Sequence, residues 1–261
     1  IQFNSPKPLE YILVDDKRKL LYCSMPKTAS TSMKTFLFRL NSDHLPDDYD
    51  LHVHSPDYYD KFGYRTLGSF SGEEREHRIR NYYKYLFVRH PFDRITSTWR
   101  EKFFYKNVYI PQTGLEIIRD FRKDGFIPAN GSVFDKVPTL SELAAYIAAG
   151  GQNPHWDVYE SLCEPCTVQY DYIVRVESLD EDLVDILALH GSNLTLQNKI
   201  NFTKQKTFQA KTDFVEFNDI DDDVIENLKV IYSSDFQRFG YNFDSKRQLV
   251  CDIPSKQGSC C

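Results

Sequence analysis

The sequence predicts an α/β fold in which a P-loop-like, mainly parallel sheet carries helices on both faces. Two separate segments each read as strand, loop and helix, and further helix starts alternate with a third strand. Strands that alternate with helices favour parallel pairing, and such sheets bind ligands beyond the carboxyl ends of their strands. We expect one domain over residues 1–261, with a core at about 19–243 and a cysteine-containing tail at 244–261.

The first unit begins with the apolar run Lys19–Met25 (KLLYCSM), which has the length of a strand. A helix is predicted from Ser30 onward, because apolar residues then recur at the spacing i, i+3, i+4, i+7, at Met33, Phe36, Leu37 and Leu40. The loop PKTASTS, residues 26–32, joins the strand to the helix.

The second unit has the same order. Tyr82–Val88 (YYKYLFV) is aromatic and β-prone, and a helix is predicted after Pro91 from apolar residues at helical spacing, at Phe92, Ile95, Trp99 and Phe103. Both loops therefore follow the carboxyl end of a predicted strand.

Three capping-box signatures indicate further helix starts, at Ser71–Glu74, Thr139–Glu142 and Ser178–Glu181. Residues 170–177 alternate like a strand, and a last helix is predicted from about Asp221 to Phe239, ending at Gly240. Residues 41–70 and 104–138 are predicted to be long loops over the site, where acceptor recognition usually resides.

The charge balance disfavours nucleic acid as a partner. The formal net charge is -6 and the pI about 5.7, so the average surface field repels a polyanion. Basic residues nevertheless concentrate within thirty positions, which leaves room for a local anion site; they are Arg78, Arg80, Lys84, Arg89, Arg94, Arg100, Lys102 and Lys106.

Cysteines and sequons favour a protein of the secretory pathway. Asn130, Asn193 and Asn201 each begin an N-x-S/T sequon. Among six cysteines, the Cys163–Cys166 pair and those of the tail suggest disulfides of unknown pairing or buried thiols, and Cys23 is predicted to be a buried thiol. A zinc site at this CxxC would need a second pair of ligands at suitable spacing, which the sequence lacks. A redox CxxC should open a helix after a strand, whereas this one precedes a predicted strand.

The loop PKTASTS has the properties of an anion site. A helix start carries unpaired N–H groups and partial positive charge, Lys27 adds a full charge, and hydroxyl donors follow at Ser30, Thr31 and Ser32. The glycines of GxxxxGK[ST] are missing, which argues against a nucleoside triphosphatase or kinase. The alternative is that Ser30 only caps the helix and Lys27 is solvated.

The second loop supplies a second cation. Arg89 follows its strand directly, and Ser97 comes eight residues later, about two helical turns on. The guanidinium of Arg89 can bind a phosphate through two parallel hydrogen bonds, with Ser97 on the far side of that phosphate.

These motifs resemble those of Golgi carbohydrate sulfotransferases, closest to the HNK-1, chondroitin, dermatan and GalNAc 4-O-sulfotransferase group. Residues 22–34 (YCSMPKTASTSMK) resemble the family's 5′-phosphosulfate loop, and residues 85–103 (YLFVRHPFDRITSTWREKF) its 3′-phosphate motif. Residues 155–183 resemble an HW…LCxPC…YD block, and residues 232–241 a YxxDFxxFGY block. The loop itself is closer to that of the 2-O-sulfotransferases, and His90 stands where Asp or Glu is common.

The resemblance implies transfer of a sulfuryl group from 3′-phosphoadenosine 5′-phosphosulfate (PAPS) to a sugar hydroxyl, with PAP as product and no metal required. It assigns the donor to Arg89, Ser97 and the loop residues Pro26, Lys27, Thr28, Ala29, Ser30, Thr31 and Ser32. Lys27 is expected to stabilise the leaving phosphate oxygen.

Histidine is the expected base, because its pKa is near working pH. The candidates are His52, His54 and His155, and His54 is the first of them because residues 51–63 are similar to the HxH region of the 2-O-sulfotransferases. The HxH pair, followed by Asp57, could also bind a metal ion, but no third ligand of convincing spacing follows, which argues against a metal site. Acceptor contacts are expected from His155, Trp156, Arg94 and Lys102.

The expected acceptor is GalNAc O-4 or a glucuronate of a glycosaminoglycan or glycoprotein glycan. Uronic acid 2-O-sulfation, a small hydroxylated metabolite and a non-catalytic glycan-binding protein of the same fold are the alternatives. We expect a Golgi-lumenal protein with a type II anchor outside this stretch, or a secreted one; the oligomeric state is left open.

Overall fold

The computed structural model describes residues 9–42, Val53, 55–105, 109–123, 136–191, 219–243 and 249–251. The strands are β1 (Ile12–Asp15), β2 (Leu20–Cys23), β3 (Arg65–Thr66), β4 (Tyr83–Val88), β5 (Tyr172–Arg175), β6 (Tyr241–Phe243) and β7 (Leu249–Cys251). The first five form one sheet in the order β3-β1-β2-β4-β5, and β6 pairs with β7 separately.

The central part of the sheet is parallel. Strand β2 pairs parallel with β4, where Cys23 lies opposite Leu86, and β4 pairs parallel with β5, where Val88 lies opposite Arg175. Strand β1 runs antiparallel to both β2 and β3. The α/β prediction is confirmed, with an antiparallel extension that the sequence analysis did not foresee.

The helices alternate with these strands along the chain. They are α1 (Ser30–Leu40), α2 (Pro56–Lys61), α3 (Gly72–Asn81), α4 (Pro91–Thr98), α5 (Leu115–Phe121), α6 (Leu140–Ala148), α7 (Tyr159–Cys163), α8 (Pro165–Val168), α9 (Leu179–Leu189), α10 (Asp222–Ile231) and α11 (Ser233–Phe239). Two segments are π-helical, Trp99–Tyr105 and Ile110–Gly114, and two are 3₁₀-helical, Leu67–Ser69 and Val176–Ser178.

Helices cover both faces of the sheet, as predicted. Successive strand residues point to opposite faces, so Leu21 and Leu86 pack in one buried cluster with residues of α7 and α8. Tyr22 and Phe87 pack in the other, with residues of α1 and α9. A third cluster joins α4, α6 and α10 beside the sheet.

Two of the three predicted capping boxes are present. Ser71 and Thr139 each accept the N–H of the glutamate three residues later, and that glutamate binds the cap N–H in return. The third predicted helix start is also confirmed, with Ser178 as the N-cap residue, but the capping box is absent, because the Ser178 hydroxyl donates to Asp182 Oδ2 at 3.1 Å and makes no cap hydrogen bond.

Three further expectations need correction. The helix predicted at 221–239 is interrupted at Tyr232, whose buried hydroxyl donates to the carbonyl of Trp156, although it does end at Gly240 with φ of 64°. Of the two predicted long loops, residues 56–69 contain α2 and β3, and residues 110–121 contain a π-helix and α5. The domain limits stay a prediction.

His90 caps helix α4 in place of an acidic residue. Its Nδ1 accepts the N–H of Phe92 at 3.2 Å, which is the hydrogen bond that an Asp side chain makes at a helix start. Only the unprotonated ring can accept this bond. Burial lowers the pKa of His90 to about 3, so the ring stays neutral at neutral and mildly acidic pH.

A disulfide joins the sheet to a helix. Cys23 at the end of β2 bonds to Cys163 at the end of α7, 140 residues later, with 5.9 Å between the Cα atoms. The prediction of a free thiol at Cys23 is therefore wrong. Cys166 is disulfide-bonded as well, so neither cysteine of the CEPC motif is a free thiol.

The Cys23–Cys163 bond is expected to contribute substantially to stability, because it closes a loop of 140 residues and so restricts the unfolded chain. Replacing both cysteines by alanine should lower the free energy of unfolding by about 3–5 kcal/mol. Denaturant titration followed by tryptophan fluorescence measures this. An unchanged midpoint would contradict the assignment.

His90 should also make stability depend on pH. Its pKa is about 3 in the folded chain and about 6.5 when unfolded, so the unfolded state binds more protons between these values and stability falls as pH falls below 6.5. From pH 7.5 to 5 this loss is about 2 kcal/mol. Asparagine can accept the same N–H without titrating. Between pH 7.5 and 5, the free energy of unfolding of His90→Asn should therefore fall by about 2 kcal/mol less than that of the wild type.

The comparison cancels other titrating groups that are present in both proteins. His190 has a pKa lowered by burial to about 4, and Asp235 one raised by burial to about 6, which act in opposite directions as pH falls. His77→Asn, on the exposed face of α3, serves as the matched control. Equal pH slopes for wild type and His90→Asn would show that His90 is not a neutral buried cap.

Candidate functional site

Two loops meet at the carboxyl edge of the parallel strands. Residues 24–29 follow β2 and lead into α1, and Arg89 and His90 follow β4 and lead into α4. Because β2 and β4 are neighbours in parallel, both chains leave the sheet at the same edge. The sequence analysis predicted this arrangement of the two loops.

The first loop turns without glycine. Lys27 and Ala29 have φ of 70° and 60°, in the left-handed region, which costs about 1–2 kcal/mol for each residue that has a Cβ. The buried hydroxyl of Thr28 donates to the carbonyl of Met25 at 2.8 Å and so holds the turn from inside. Thr28 is therefore a structural member of the loop.

The start of α1 is left open for an anion. The N-cap residue is Ala29, which provides no side-chain cap, and Ser30 is already the first helical residue. The alternative that Ser30 caps the helix is thus wrong. The first turn retains the partial positive charge of a helix start, with the hydroxyls of Ser30 and Ser32 beside it and Thr31 more exposed.

Lys27 lies among charges rather than in solvent. Its Nζ forms an ion pair with Glu101 of the π-helical segment, and the two side chains are 12% and 25% exposed. Burial lowers the pKa of Lys27, Glu101 opposes that shift, and the positive charges of Lys102 and Arg89 lower the pKa further. The charges of Lys102 and Arg89 are therefore close enough to act on Lys27.

Arg89 presents a cation at the end of β4. Its backbone N–H donates to the hydroxyl of Tyr159 at 3.0 Å, which fixes the chain at this point. Within the part of the chain that the structure describes, its half-buried guanidinium makes no hydrogen bond or ion pair. The guanidinium lies near enough to Asp93 to oppose the burial that raises the pKa of Asp93 to about 6. Ser97 lies half-buried on α4.

Two of the expected acceptor residues are buried instead. Arg94 has no exposed surface, donates to the carbonyl of Asp157 and lies 4.9 Å from the ring of Tyr159. Trp156 is 1% exposed and donates to the carbonyl of Gly151 at 2.8 Å. Both side chains are buried and hydrogen-bonded to backbone carbonyls, so they stabilise the fold and are not exposed to an acceptor.

The other two expected acceptor residues, Lys102 and His155, are half-buried beside Tyr109. Lys102 has its Nζ 5.8 Å from the ring centre of Tyr109. His155 Nδ1 lies 2.9 Å from both the hydroxyl of Tyr109 and Oδ1 of Asn153, which orients the ring. Of the three candidate bases, His155 is the one just described, and His52 and His54 lie outside the described residues.

Two residues beside the first loop were missed from the sequence. Glu101 comes four residues after Ser97, and this helical spacing could have placed both at one site. Tyr11 lies beside the first loop, because its carbonyl accepts the N–H of Ser24 at 2.7 Å. No local signal indicated Tyr11, since the core was expected to begin at about residue 19.

Other kinds of site find no support in the described part of the chain. There, no three His, Cys, Asp or Glu side chains are grouped so that they could hold a metal ion. In the same residues, no helix is both long and apolar enough to cross a membrane. The basic residues that cluster in sequence also separate, since Arg78 pairs with Asp16 and Lys84 with Asp171.

The chain is similar over most of its length to carbohydrate sulfotransferases. It is 30% identical over 254 residues to carbohydrate sulfotransferase 11 of Rattus norvegicus, which covers 94% of this chain and 71% of the relative. It is 30% identical to carbohydrate sulfotransferase 14 of Danio rerio, over 93% of this chain and 65% of the relative. It is 30% identical to carbohydrate sulfotransferase 10 of Xenopus laevis, over 89% of this chain and 68% of the relative.

No solved structure matches the chain with comparable significance. The sequence profile of the Sulfotransferase family matches residues 10–242, which include β1, both loops, the π-helical segment that carries Glu101 and the first two residues of β6. The match therefore spans the sheet and the whole candidate site, and this chain belongs to the sulfotransferase family.

Proposed function

We propose that this chain transfers a sulfuryl group from PAPS to a hydroxyl of a carbohydrate. The observation that carries the proposal is the meeting of Lys27 and Arg89 at one sheet edge, beside a helix start that has no side-chain cap. A donor with anionic groups at two ends needs two such cationic positions. The names of the relatives support a carbohydrate acceptor.

The donor would be held by both loops. Residues 26–32 would bind its 5′-phosphosulfate through N–H groups of the α1 start, the charge of Lys27 and the hydroxyls of Ser30 to Ser32. Arg89 and Ser97 would bind the 3′-phosphate, and the same contacts would hold the product PAP. The half-buried Arg89 guanidinium and the open start of α1 fit these roles.

In the reaction, the acceptor oxygen forms a bond to sulfur while the bond from sulfur to the bridging phosphate oxygen breaks. The leaving phosphate retains the electron pair, and the hydroxyl proton passes to a base. Lys27 would stabilise the charge that develops on the leaving oxygen. Because burial already lowers the pKa of Lys27, its contacts with anions are weakly screened by water.

For the base we propose His54, with His52 as the second candidate. The support is the similarity of residues 51–63 to the HxH region of the 2-O-sulfotransferases. The adjoining structure is compatible with a role at the site, since Tyr59 of α2 accepts a hydrogen bond from Lys34 of α1 at 2.9 Å. Helix α2, which follows the histidines, is thereby tied to the helix that begins at the anion loop.

For the acceptor we propose GalNAc O-4 or a glucuronate hydroxyl of a glycosaminoglycan or glycoprotein glycan, in the Golgi lumen. Lys102 and His155 would contact it, and the support is that both lie half-buried beside Tyr109. A cation and an oriented imidazole suit an acceptor that carries carboxylate or hydroxyl groups. Uronic acid 2-O-sulfation and transfer to a small alcohol are the competing outcomes of the assay below.

The test is transfer of labelled sulfate from PAPS to a panel of desulfated glycans, uronate-containing oligosaccharides and small alcohols. We expect transfer to chondroitin- or dermatan-type or glucuronate-terminated acceptors. Lys27→Ala and Arg89→Ala should lower kcat/KM by more than about 100-fold, since each removes a contact to a charged group of the donor. Retention of activity within about tenfold in Lys27→Ala would refute the role of Lys27.

Lys17→Ala is the matched control, because Lys17 is an exposed lysine in the turn between β1 and β2, at the opposite edge of the sheet. It should transfer sulfate at the wild-type rate. Binding of glycan without transfer from PAPS to any acceptor of the panel would favour the non-catalytic alternative.

The base assignment has its own test. His54→Ala should lower kcat by about 100-fold or more with little change in PAP affinity, because the base contacts the acceptor proton and not the nucleotide. The acid limb of the pH–rate profile should disappear in the residual activity. Near-normal turnover in His54→Ala, with loss in His52→Ala, would move the role to His52.

A further inference from the structure

Glu101 forms an ion pair with Lys27 but has no role in the proposed function. Glu101 Oε2 accepts a hydrogen bond from Lys27 Nζ, and both side chains are largely shielded from water. Glu101 lies on the π-helical segment Trp99–Tyr105, which continues directly from α4. The second loop unit therefore reaches back to the lysine of the first.

This contact places an anion of the protein against the cation that the donor needs. A lysine has one ammonium group with three N–H donors, and one of them points to Glu101. A phosphate or sulfonate oxygen that approaches Lys27 meets the carboxylate at close range, and like charges at such distances repel strongly when water is excluded. Donor binding must therefore displace Glu101 or share Lys27 with it.

We propose that Glu101 is an internal counter-anion that competes with the donor and its product for Lys27. The inference rests on the proposed function, since it assumes that Lys27 binds the nucleotide. Glu101 limits the affinity of the site for both PAPS and PAP. It also speeds release of PAP, because the carboxylate can take back the ammonium group as the product phosphate leaves.

The neighbouring charges support this role. The positive charges of Lys102 and Arg89 act on Lys27, and Glu101 is the carboxylate that offsets them there. Three cations close together would otherwise bind a nucleotide bisphosphate very tightly, and tight product binding slows turnover. One carboxylate within hydrogen-bonding distance of the lysine moderates that attraction.

The test measures PAP affinity by calorimetry and PAP dissociation by stopped flow. Glu101→Gln keeps the size and hydrogen-bonding capacity of the side chain but removes its charge, so PAP should bind about 5- to 20-fold more tightly. The gain should come mainly from slower dissociation, and kcat should fall where release limits turnover. Loss of folding cannot produce a gain of affinity.

Glu73→Gln is the matched control, because it makes the same change of charge on an exposed residue in the first turn of α3. Its PAP affinity should stay within about twofold of wild type, as expected for a screened surface charge. In a Lys27→Ala background, Glu101→Gln should improve PAP binding by less than about threefold, since the two residues then no longer compete.

The outcomes separate this inference from the function on which it rests. If Lys27→Ala and Arg89→Ala weaken PAP binding but Glu101→Gln leaves it unchanged or weaker, Glu101 is not a competitor, and the donor site stands. If none of the three changes PAP binding, the donor site itself is wrong. If Glu101→Gln abolishes turnover with unchanged PAP affinity, Glu101 acts on the acceptor instead, and the inference is overturned.

Discussion

Parallel pairing of β2, β4 and β5 is the constraint on which the rest of the structure depends. Side chains alternate between two cores, so Tyr22 and Phe87 fill one face while Leu21 and Leu86 fill the other. A slip of one residue would exchange the two sets and leave large aromatic rings where aliphatic side chains fit. Because the register is fixed in this way, the loops after β2 and β4 start at set positions at one edge.

A buried polar cluster holds the remaining motifs to this edge. The guanidinium of Arg94 on α4 donates to the carbonyl of Asp157 and packs against the ring of Tyr159. The carboxylate of Asp235 accepts the N–H of Tyr159 at 3.2 Å, and the charge of Arg94 opposes the burial that raises the pKa of this carboxyl to about 6. A buried charge needs compensating partners. Within the described residues Nε and Nη1 of Arg94 have no hydrogen-bond partner, but the carbonyl, the ring and the carboxylate around this side chain join three separated motifs into one framework.

Most of the correct predictions came from the spacing of apolar and aromatic residues within short stretches of the sequence. Helix α1, strand β4 and the two loops follow from patterns within twenty residues, and the structure has them where expected. Strand β3 has only two residues, too few for a period to show, and β1 ends at Asp15, before the core that was expected to begin at about residue 19. The partner of Cys23 and the burial of Arg94 depend on residues 140 and about 60 positions away, which no local pattern reports.

The loop of residues 26–32 contains no glycine, and it combines a tight turn of the chain with a cationic side chain. Where glycines form a phosphate loop, the left-handed positions carry no side chain; here Lys27 itself takes such a position, so one residue both turns the chain and supplies the charge. The conformational cost of about 1–2 kcal/mol per residue must be offset by contacts that the turn allows. Thr28 provides one through its hydrogen bond to Met25, and Glu101 provides another through its ion pair with Lys27. In the chain without a bound anion, the ion pair with Glu101 therefore offsets part of the conformational cost of the turn at Lys27.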